Sequence, residues 1–371
     1  MTTVFICKRY YTGKDVIDHR FGRLYEFPTQ LATLGHHVIA VCLDYRNYAS
    51  PEYVTEQIGA GSVRWIIICV RNFFGLKVGT VYRAIKAAQP EVIIGSSDIP
   101  CLWLARLLAR NFGIAYAVDL YDNYESFGQA RLPGFRHMLR LSIRDAGIVI
   151  VVSSALKAKI NDDYAPSGSI IVMTNGIVRT SFSPGERLSA RESLGLPLDA
   201  KLIGTAGTLS KMKGLDTVYD AWSTIEGSTE DVFLVLAGRV EPGFPTPSGP
   251  RVVYLGELLE AEVGQLFRAL DVGIIPAHDS AFGRYCFPQK LFEMVACNLP
   301  IVAAEVGSIG EALRTSHGVL FAPGDHKSLV AAVIFQLERS LFVEIEPLEW
   351  CVLVKRVEPL IRHMAEQARA N

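Results

Sequence analysis

Short apolar runs alternate with helix-length segments along most of the chain. Residues 4–7, 38–43, 65–70, 92–95, 114–118 and 148–152 are rich in Val and Ile and are bounded by turn residues or charges. Unbroken apolar runs of this length predict strands buried on both faces. Between them, residues 23–34, 78–88 and 100–111 predict helices, the first ending at Gly35 and started or kinked by Pro28. Strand and helix in alternation predict parallel strands with crossover helices, a Rossmann-like sheet.

The pattern restarts after residues 170–173 and 175–176. A connector at 179–192 carries Ser181, Ser183, Pro184, Gly185 and Ser189, the composition of an inter-domain linker. Strands are then predicted at 202–205, 232–237, 251–255, 272–275, 300–303 and 318–321. Helices are predicted at 215–225, 260–270, 290–296 and 327–337. This is a second α/β unit of similar size. The tail, 349–370, places Trp350, Val352, Leu353, Val357, Leu360, Ile361 and Met364 at helical spacing, as a helix packing back on the first unit does. The expected domains are 1–178, completed by 349–371, and 190–345. Two such units imply a cleft, since ligands of open parallel sheets sit beyond the carboxyl ends of the strands.

Composition narrows the partners. The chain has 371 residues, half of them apolar, and 37 basic against 38 acidic residues give a formal charge of −1. No global field draws it to nucleic acid, so an anionic ligand must be met by a local cluster. The seven cysteines, at 7, 42, 69, 101, 286, 297 and 351, form no C-x-x-C pair, which fits neither a disulfide framework nor a zinc site and suits a reducing cytoplasm. No signal-peptide pattern is expected, because Lys8 and Arg9 follow the first short apolar run instead of preceding a long one. No apolar stretch approaches the roughly 20 residues of a spanning helix. The mean hydropathy of +0.24 leaves docking to a membrane surface open.

The strongest local pattern is Gly204-Thr-Ala-Gly207-Thr208-Leu-Ser210-Lys211-Met-Lys213-Gly214, between a strand and a helix. Glycines let backbone N–H groups approach an anion, and a helix start and a lysine add positive potential. A diphosphate suits such a loop; the alternative is a tight strand–helix turn with solvated lysines. It is neither the Walker sequence nor the dinucleotide glycine fingerprint. A second pattern runs from Arg284 and Tyr285 through Pro288, Lys290 and Glu293 to Pro300. A carboxylate at Glu293 suits two vicinal hydroxyls, as ribose presents, and Arg284 or Lys290 suits phosphate. The alternative is an ordinary surface pair of Lys290 and Glu293 on an amphipathic helix.

In the first unit, the loop 8–23 follows the first strand and so belongs on the cleft side. It includes Gly13, His19, Arg20 and Arg23, and suits an anionic acceptor or donor phosphates; otherwise it is a charged loop with internal pairs. Asp119 ends a strand and is a candidate to orient an acceptor hydroxyl, or else a helix cap. Residues 129–144 hold no acid and, drawn as a helix, set Arg136, Arg140 and Arg144 on one side. A basic amphipathic helix suits an anionic membrane surface; the other reading is a helix packed on its own domain with its arginines in water.

Taken together, these segments resemble a family 4 retaining glycosyltransferase of the GT-B architecture, two Rossmann-like domains facing across a cleft. The likeness is carried by Leu31 to Val38, Val152 to Lys157, Asn175-Gly176-Ile177 with Phe182 and Pro184, and Lys213-Gly214-Leu-Asp216. It continues in Leu255-Gly256-Glu257, Asp271 to Pro276, and Pro288 to Pro300, the last with the Pro-x-Lys-x-x-Glu form of a bacterial subgroup. The resemblance implies a donor nucleotide sugar held by the second domain, with Gly207, Thr208 and Lys213 at the diphosphate. It places Glu293 on the ribose, Gly256, Glu257 and Leu258 near the base, and Tyr285 and Lys290 within the donor motif. It implies transfer of a hexose-type sugar with retention to a glycan or lipid-linked acceptor, in bacterial surface polysaccharide assembly, by a cytoplasmic enzyme at the inner face of the membrane. No nucleic acid, cofactor or metal is implied, and no D-x-D sequence occurs. Two positions depart from the family: Tyr285 stands where it commonly has a first glutamate, and Thr208 where it commonly has an arginine. Arg284 is the expected replacement cation. The departures also motivate a catalytically silent relative that binds nucleotide or glycan as a partner subunit.

Overall fold

A computed structural model describes residues 1–11, 13–46, 52–70 and 77–370. The chain divides into two units, Met1–Asn175 with Trp350–Asn371, and Gly176–Glu349.

The first unit is built on an eight-stranded sheet. Its order is Ser169–Val172, Ile148–Val151, Ala115–Leu120, Val92–Ser96, Thr2–Lys8, His37–Asp44, Gly61–Cys69 and Glu52–Ile58. All neighbours are parallel except the last pair. Val4 lies between Ile39 and Ile93, and Phe5 between Ala40 and Ile94, all buried. Each side chain of this size adds roughly 1.5–3 kcal/mol when fully buried. The edge strand Glu52–Ile58 was not expected. Its sequence, Glu-Tyr-Val-Thr-Glu-Gln-Ile, is mostly polar, as an exposed edge strand can be.

Crossover helices carry their own stop signals. Ile99–Phe112 is capped by Asp98, whose side chain accepts from the Cys101 N–H, and ends at Gly113 in the left-handed conformation. Arg23–Thr33 holds Pro28 within it. The expected helix over 129–144 is shorter: Gly128–Arg131 is a 3₁₀ turn and the α-helix is Phe135–Arg144. Pro133 and Gly134 interrupt it. The tail forms the helix Trp350–Ala370, with Val354 and Ile361 fully buried and Met364 packed on Gly147.

The second unit has a six-stranded parallel sheet. Its order is Val252–Tyr254, Val232–Ala237, Lys201–Ala206, Val272–Ile275, Ile301–Ala304 and Leu320–Phe321. Helices Leu215–Ser228, Glu260–Ala269 and Gln289–Ala296 lie between these strands, and His326–Arg339 follows the last of them. The segment expected as a polar linker differs in its second half. Arg187–Ser193 is a helix whose Arg191 is buried and donates to Asp271 and to the carbonyls of Leu198, Ala200 and Ala269. Full pairing of the guanidinium makes its burial affordable.

Candidate functional site

Strand order in the second unit reverses on either side of Lys201–Ala206: one neighbour precedes the crossover to Val272–Ile275, the other follows it. Loops leaving such a reversal diverge and open a crevice at the carboxyl edge. Three adjacent strands end there in left-handed glycines: Gly207 (φ 117°), Gly238 (φ 120°) and Gly256 (φ 74°). The Gly238 N–H donates to the Gly256 carbonyl at 2.6 Å, and a Cβ on Gly238 would stand 2.0 Å from the Gly207 carbonyl oxygen. Backbone therefore packs on backbone along this edge, which only glycine permits.

Lys290 lies over Gly207, and Lys213 is near enough to repel its charge. Lys213 closes a 3₁₀ turn, Lys211–Lys213, before the helix Leu215–Ser228; Lys290 lies in the first turn of Gln289–Ala296. A Cβ on Gly207 would stand 2.8 Å from both Cε and Nζ of Lys290. The loss of water around its ammonium, followed by repulsion from Lys213, pulls the Lys290 amine down to about 7; Glu293 and Cys286 oppose this weakly. Ser210, in the same loop, is buried with a hydroxyl that has no hydrogen-bond partner among the described residues. Gly214 (φ 81°) lies against the backbone of Ala277, and His278 Nε2 is 2.8 Å from Asp216 Oδ1. That pair ties the loop after Val272–Ile275 to the first turn of Leu215–Ser228, a contact the sequence reading did not anticipate.

Glu293 stands one turn beyond Lys290, and Gln289 Nε2 donates to its Oε1 at 2.9 Å. Gly256 is held at the glycine edge, Leu258 is half-buried and Glu257 is exposed. Tyr285 ends the short helix Ala281–Tyr285 and is half-buried. Arg284, the expected replacement cation, is exposed and paired with an acid. Its exposed guanidinium is held by both carboxylate oxygens of Asp279, which raises the arginine and lowers the acid. A lysine, Lys290, lies against the loop at Gly207.

In the first unit, two expected site residues are buried and paired with each other. Arg23 and Asp119 both have no side-chain exposure and pair at 2.6 Å. Arg23 also donates to the carbonyls of Met173 and Thr174 and to Asn175 Oδ1, while Asp119 accepts from Ser96 Oγ. Asp119 caps no helix here, and its buried carboxylate is taken up by Arg23 and Ser96. The loop before Arg23 does hold internal pairs, Arg9 with Asp15 and Asp18, and Arg9 also reaches Asp44 at the end of the strand His37–Asp44. It leaves Gly13, His19 and Arg20 exposed, Gly13 at the turn between Tyr10–Tyr11 and Lys14–Asp15, and His19 Nδ1 accepting from the Asp15 N–H. Arg136, Arg140 and Arg144 are exposed on their helix, whose Leu139, Ser142 and Ile143 are buried.

A cavity of about 540 Å³ lies elsewhere in the second unit, bordered by Arg187, Lys201, Leu270, Asp271 and Leu299 at the amino ends of the strands. Its arginines are already paired, and it lies opposite the edge where parallel-sheet ligands bind. The glycine edge is the better candidate. Among the described residues no group of three or more His, Cys, Asp or Glu is arranged to hold a metal ion.

Comparison with known proteins identifies both units. Residues 23–176 match the model for a "Glycosyl transferase 4-like domain", and residues 200–339 the model for "Glycosyl transferases group 1". The D-inositol 3-phosphate glycosyltransferase of Mycobacterium tuberculosis is 30% identical over 161 residues, 40% of this chain and 32% of that protein. The chain thus matches about a third of that relative's length. Sucrose-phosphate synthase from Thermosynechococcus elongatus aligns with a TM-score of 0.71 at 18% identity, over 100% of this chain and 98% of that one. HepE of Anabaena in complex with UDP-glucose aligns with a TM-score of 0.66 at 17% identity, over 100% and 98%. These likenesses establish the fold as the GT-B architecture.

Proposed function

For a chain composed of two glycosyltransferase domains of the family 4 type, we propose transfer of a hexose-type sugar from a nucleotide sugar to a hydroxyl acceptor, with retention. The observation that carries this reading is Lys290 lying over Gly207 within reach of the charge of Lys213, with Glu293 one turn further. In this reading the diphosphate lies over the glycine edge, its charge met by lysines and by the start of the helix Leu215–Ser228. Glu293, oriented by Gln289, accepts from the ribose hydroxyls. The base rests near Gly256, Glu257 and Leu258.

Sugar transfer builds negative charge on the departing diphosphate. Cations already in place stabilise that charge without reorganising at the moment of reaction. No D-x-D sequence offers a metal-bridging pair, so the lysines carry this role in the proposal. UDP-glucose is the first donor to test, because a solved GT-B neighbour holds it. The acceptor belongs to the first unit, where His19 and Arg20 are exposed beside Gly13. It is a glycan or lipid-linked saccharide of a bacterial surface polymer, reached at the cytoplasmic membrane face through Arg136, Arg140 and Arg144. D-inositol 3-phosphate is the soluble control suggested by the relative.

The test is release of UDP or GDP from a donor panel with and without acceptor, followed by NMR of the product's anomeric centre. Acceptor-dependent release with retained configuration supports the reading. Binding without turnover across the panel supports the second reading, a catalytically silent partner subunit, which Thr208, Tyr285 and the Asp279-bound Arg284 favour. Equal sedimentation of wild type and the Arg136/Arg140/Arg144 triple alanine variant with anionic vesicles would remove the membrane role.

A further inference from the structure

We propose that Lys8 and Lys14, held on the aromatic row Phe21, Tyr11 and Tyr121, form the acceptor subsite of the first unit, and that its ligand is a saccharide bearing a phosphate or a carboxylate. The inference rests on the reading above that the acceptor belongs to this unit, and it names the acceptor's chemistry. Strand order in the first sheet reverses at Thr2–Lys8, whose neighbours are His37–Asp44 and the much later Val92–Ser96. The crevice of such a sheet opens beyond the carboxyl ends of those strands. Lys8 and Ser97 stand there. The Lys8 N–H donates to Ser97 Oγ at 2.8 Å, the Ser97 N–H donates to Tyr124 Oη at 3.1 Å, and Tyr121 Oη donates to the Ser97 carbonyl at 3.2 Å. These bonds hold Ser97 at φ 80°, a backbone that a residue with a side chain rarely adopts. The two strand ends and the Tyr121 ring are thereby tied together.

Lys8 Nζ lies 5.8 Å from the ring centroids of both Tyr11 and Tyr121, and Lys14 Nζ lies 4.6 Å from that of Phe21. The rings follow one another at 6.0 Å from Phe21 to Tyr11 and 5.0 Å from Tyr11 to Tyr121. The arginines of this loop are spent on acids: Arg9 on Asp15 and Asp44, Arg20 on Glu56 and Arg23 on Asp119. Its lysines are held differently, for among the described residues neither Lys8 nor Lys14 has an ion pair. Asp98 and Asp122, the acids whose charge reaches Tyr121, accept from the N–H groups of Cys101 and Asn123. An aromatic face holds an ammonium without cancelling its charge, as a carboxylate would. Both lysines, Tyr11 and Phe21 are half-buried, so two fixed cations are presented beside apolar ring surface. An anionic group on a sugar answers the ammoniums, and the sugar's C–H surface answers the rings. A neutral glycan would leave the cations unmatched, and a bare anion would leave the rings uncovered.

The test is ligand-observed NMR titration of the full chain with glucose 6-phosphate, glucuronate, glucose and inorganic phosphate. Wild type should bind at least one of the two anionic sugars about tenfold more tightly than it binds glucose or inorganic phosphate, the scale of one charge-assisted hydrogen bond. That preference over glucose should shrink between about 20 mM and about 500 mM salt. The Lys8→Gln/Lys14→Gln double variant should lose it. Lys86→Gln, which removes a charge from an exposed helix position of the same unit, should keep it. Equal binding of all four probes by wild type, binding of none, or a preference that survives in the double variant or vanishes in Lys86→Gln overturns the inference. So does a double variant that loses affinity for UDP-glucose, which would give the lysines to the donor phosphates. Failure of wild type to bind UDP-glucose overturns the donor reading instead, and the four probes still decide this one. Because the wild-type titrations can overturn the inference alone, an unstable double variant does not shelter it.

Discussion

Arg23 donates through Nε and Nη2 to the carboxylate of Asp119, ninety-six residues away in sequence, and neither side chain has any exposure. A buried pair of this kind is weak evidence of net stabilisation, but breaking it by removing one partner leaves an uncompensated charge. We expect Arg23→Met or Asp119→Ala to cost about 3–5 kcal/mol, read as a lowered urea midpoint. The nucleotide affinity of the surviving folded fraction should stay unchanged. A folded Asp119→Ala that loses only turnover would instead return this aspartate to the reaction.

At the glycine edge, Lys213→Ala and Glu293→Ala should each reduce kcat/KM by about 10²–10³, the usual scale for one charge-stabilising contact. Both residues keep partial exposure, so the melting temperature should hardly move. Steady-state kinetics beside a thermal melt separates these outcomes. Arg284→Ala is the contrasting control: its guanidinium is spent on exposed Asp279, so turnover should stay within about threefold of wild type and stability within about 0.5 kcal/mol.

Gly207 and Gly238 offer a graded test of the backbone. Both have φ near 120°, where an L side chain is strained by about 1–3 kcal/mol. The new methyl of Gly207→Ala meets only the end of Lys290, which can swing away, whereas that of Gly238→Ala meets the Gly207 carbonyl. Gly238→Ala should therefore lose more stability. Gly207→Ala should lose more nucleotide affinity than stability, because it displaces the lysine. Thermal melts with and without UDP-glucose rank the two.

Much of the architecture is legible in the sequence because parallel strands buried on both faces leave unbroken Val/Ile runs, and those runs fall on the observed strands to within a few residues. The edge strand Glu52–Ile58 escaped the same reading, since its solvated face breaks the run. Lys213, Lys290 and Glu293 could be singled out because each sits near a helix start after a strand. Their mutual geometry could not, because it depends on Gly207 lying under Lys290 from another element. The Arg23–Asp119 pair left no local signal: each residue looked like a loop or strand-end charge, and only the packing of the helix Arg23–Thr33 on the sheet joins them. Gly238 was passed over for a similar reason, since its need for glycine comes from the carbonyl of Gly207 on the next strand.

His36 gives a pH dependence whose sign can be worked out. It is buried at 3% exposure, and its Nε2 lies 2.8 Å from Glu358 Oε1 on the C-terminal helix. Loss of hydration on burial lowers its affinity for a proton below the ordinary 6.5, and the pull of Glu358 recovers only part of this. Arg362 also bonds Glu358, which adds a positive charge facing the imidazole. The unfolded chain therefore binds this proton more readily than the folded one. Stability at this residue is fully present above about pH 6.5, declines as pH falls through the window below it, and levels off below the folded value. Urea unfolding of the full chain at about pH 7.5 and at about pH 5.5 should show the loss. His36→Gln, which cannot titrate, should reduce the difference between the two. An undiminished difference in His36→Gln would assign the acid sensitivity to another group.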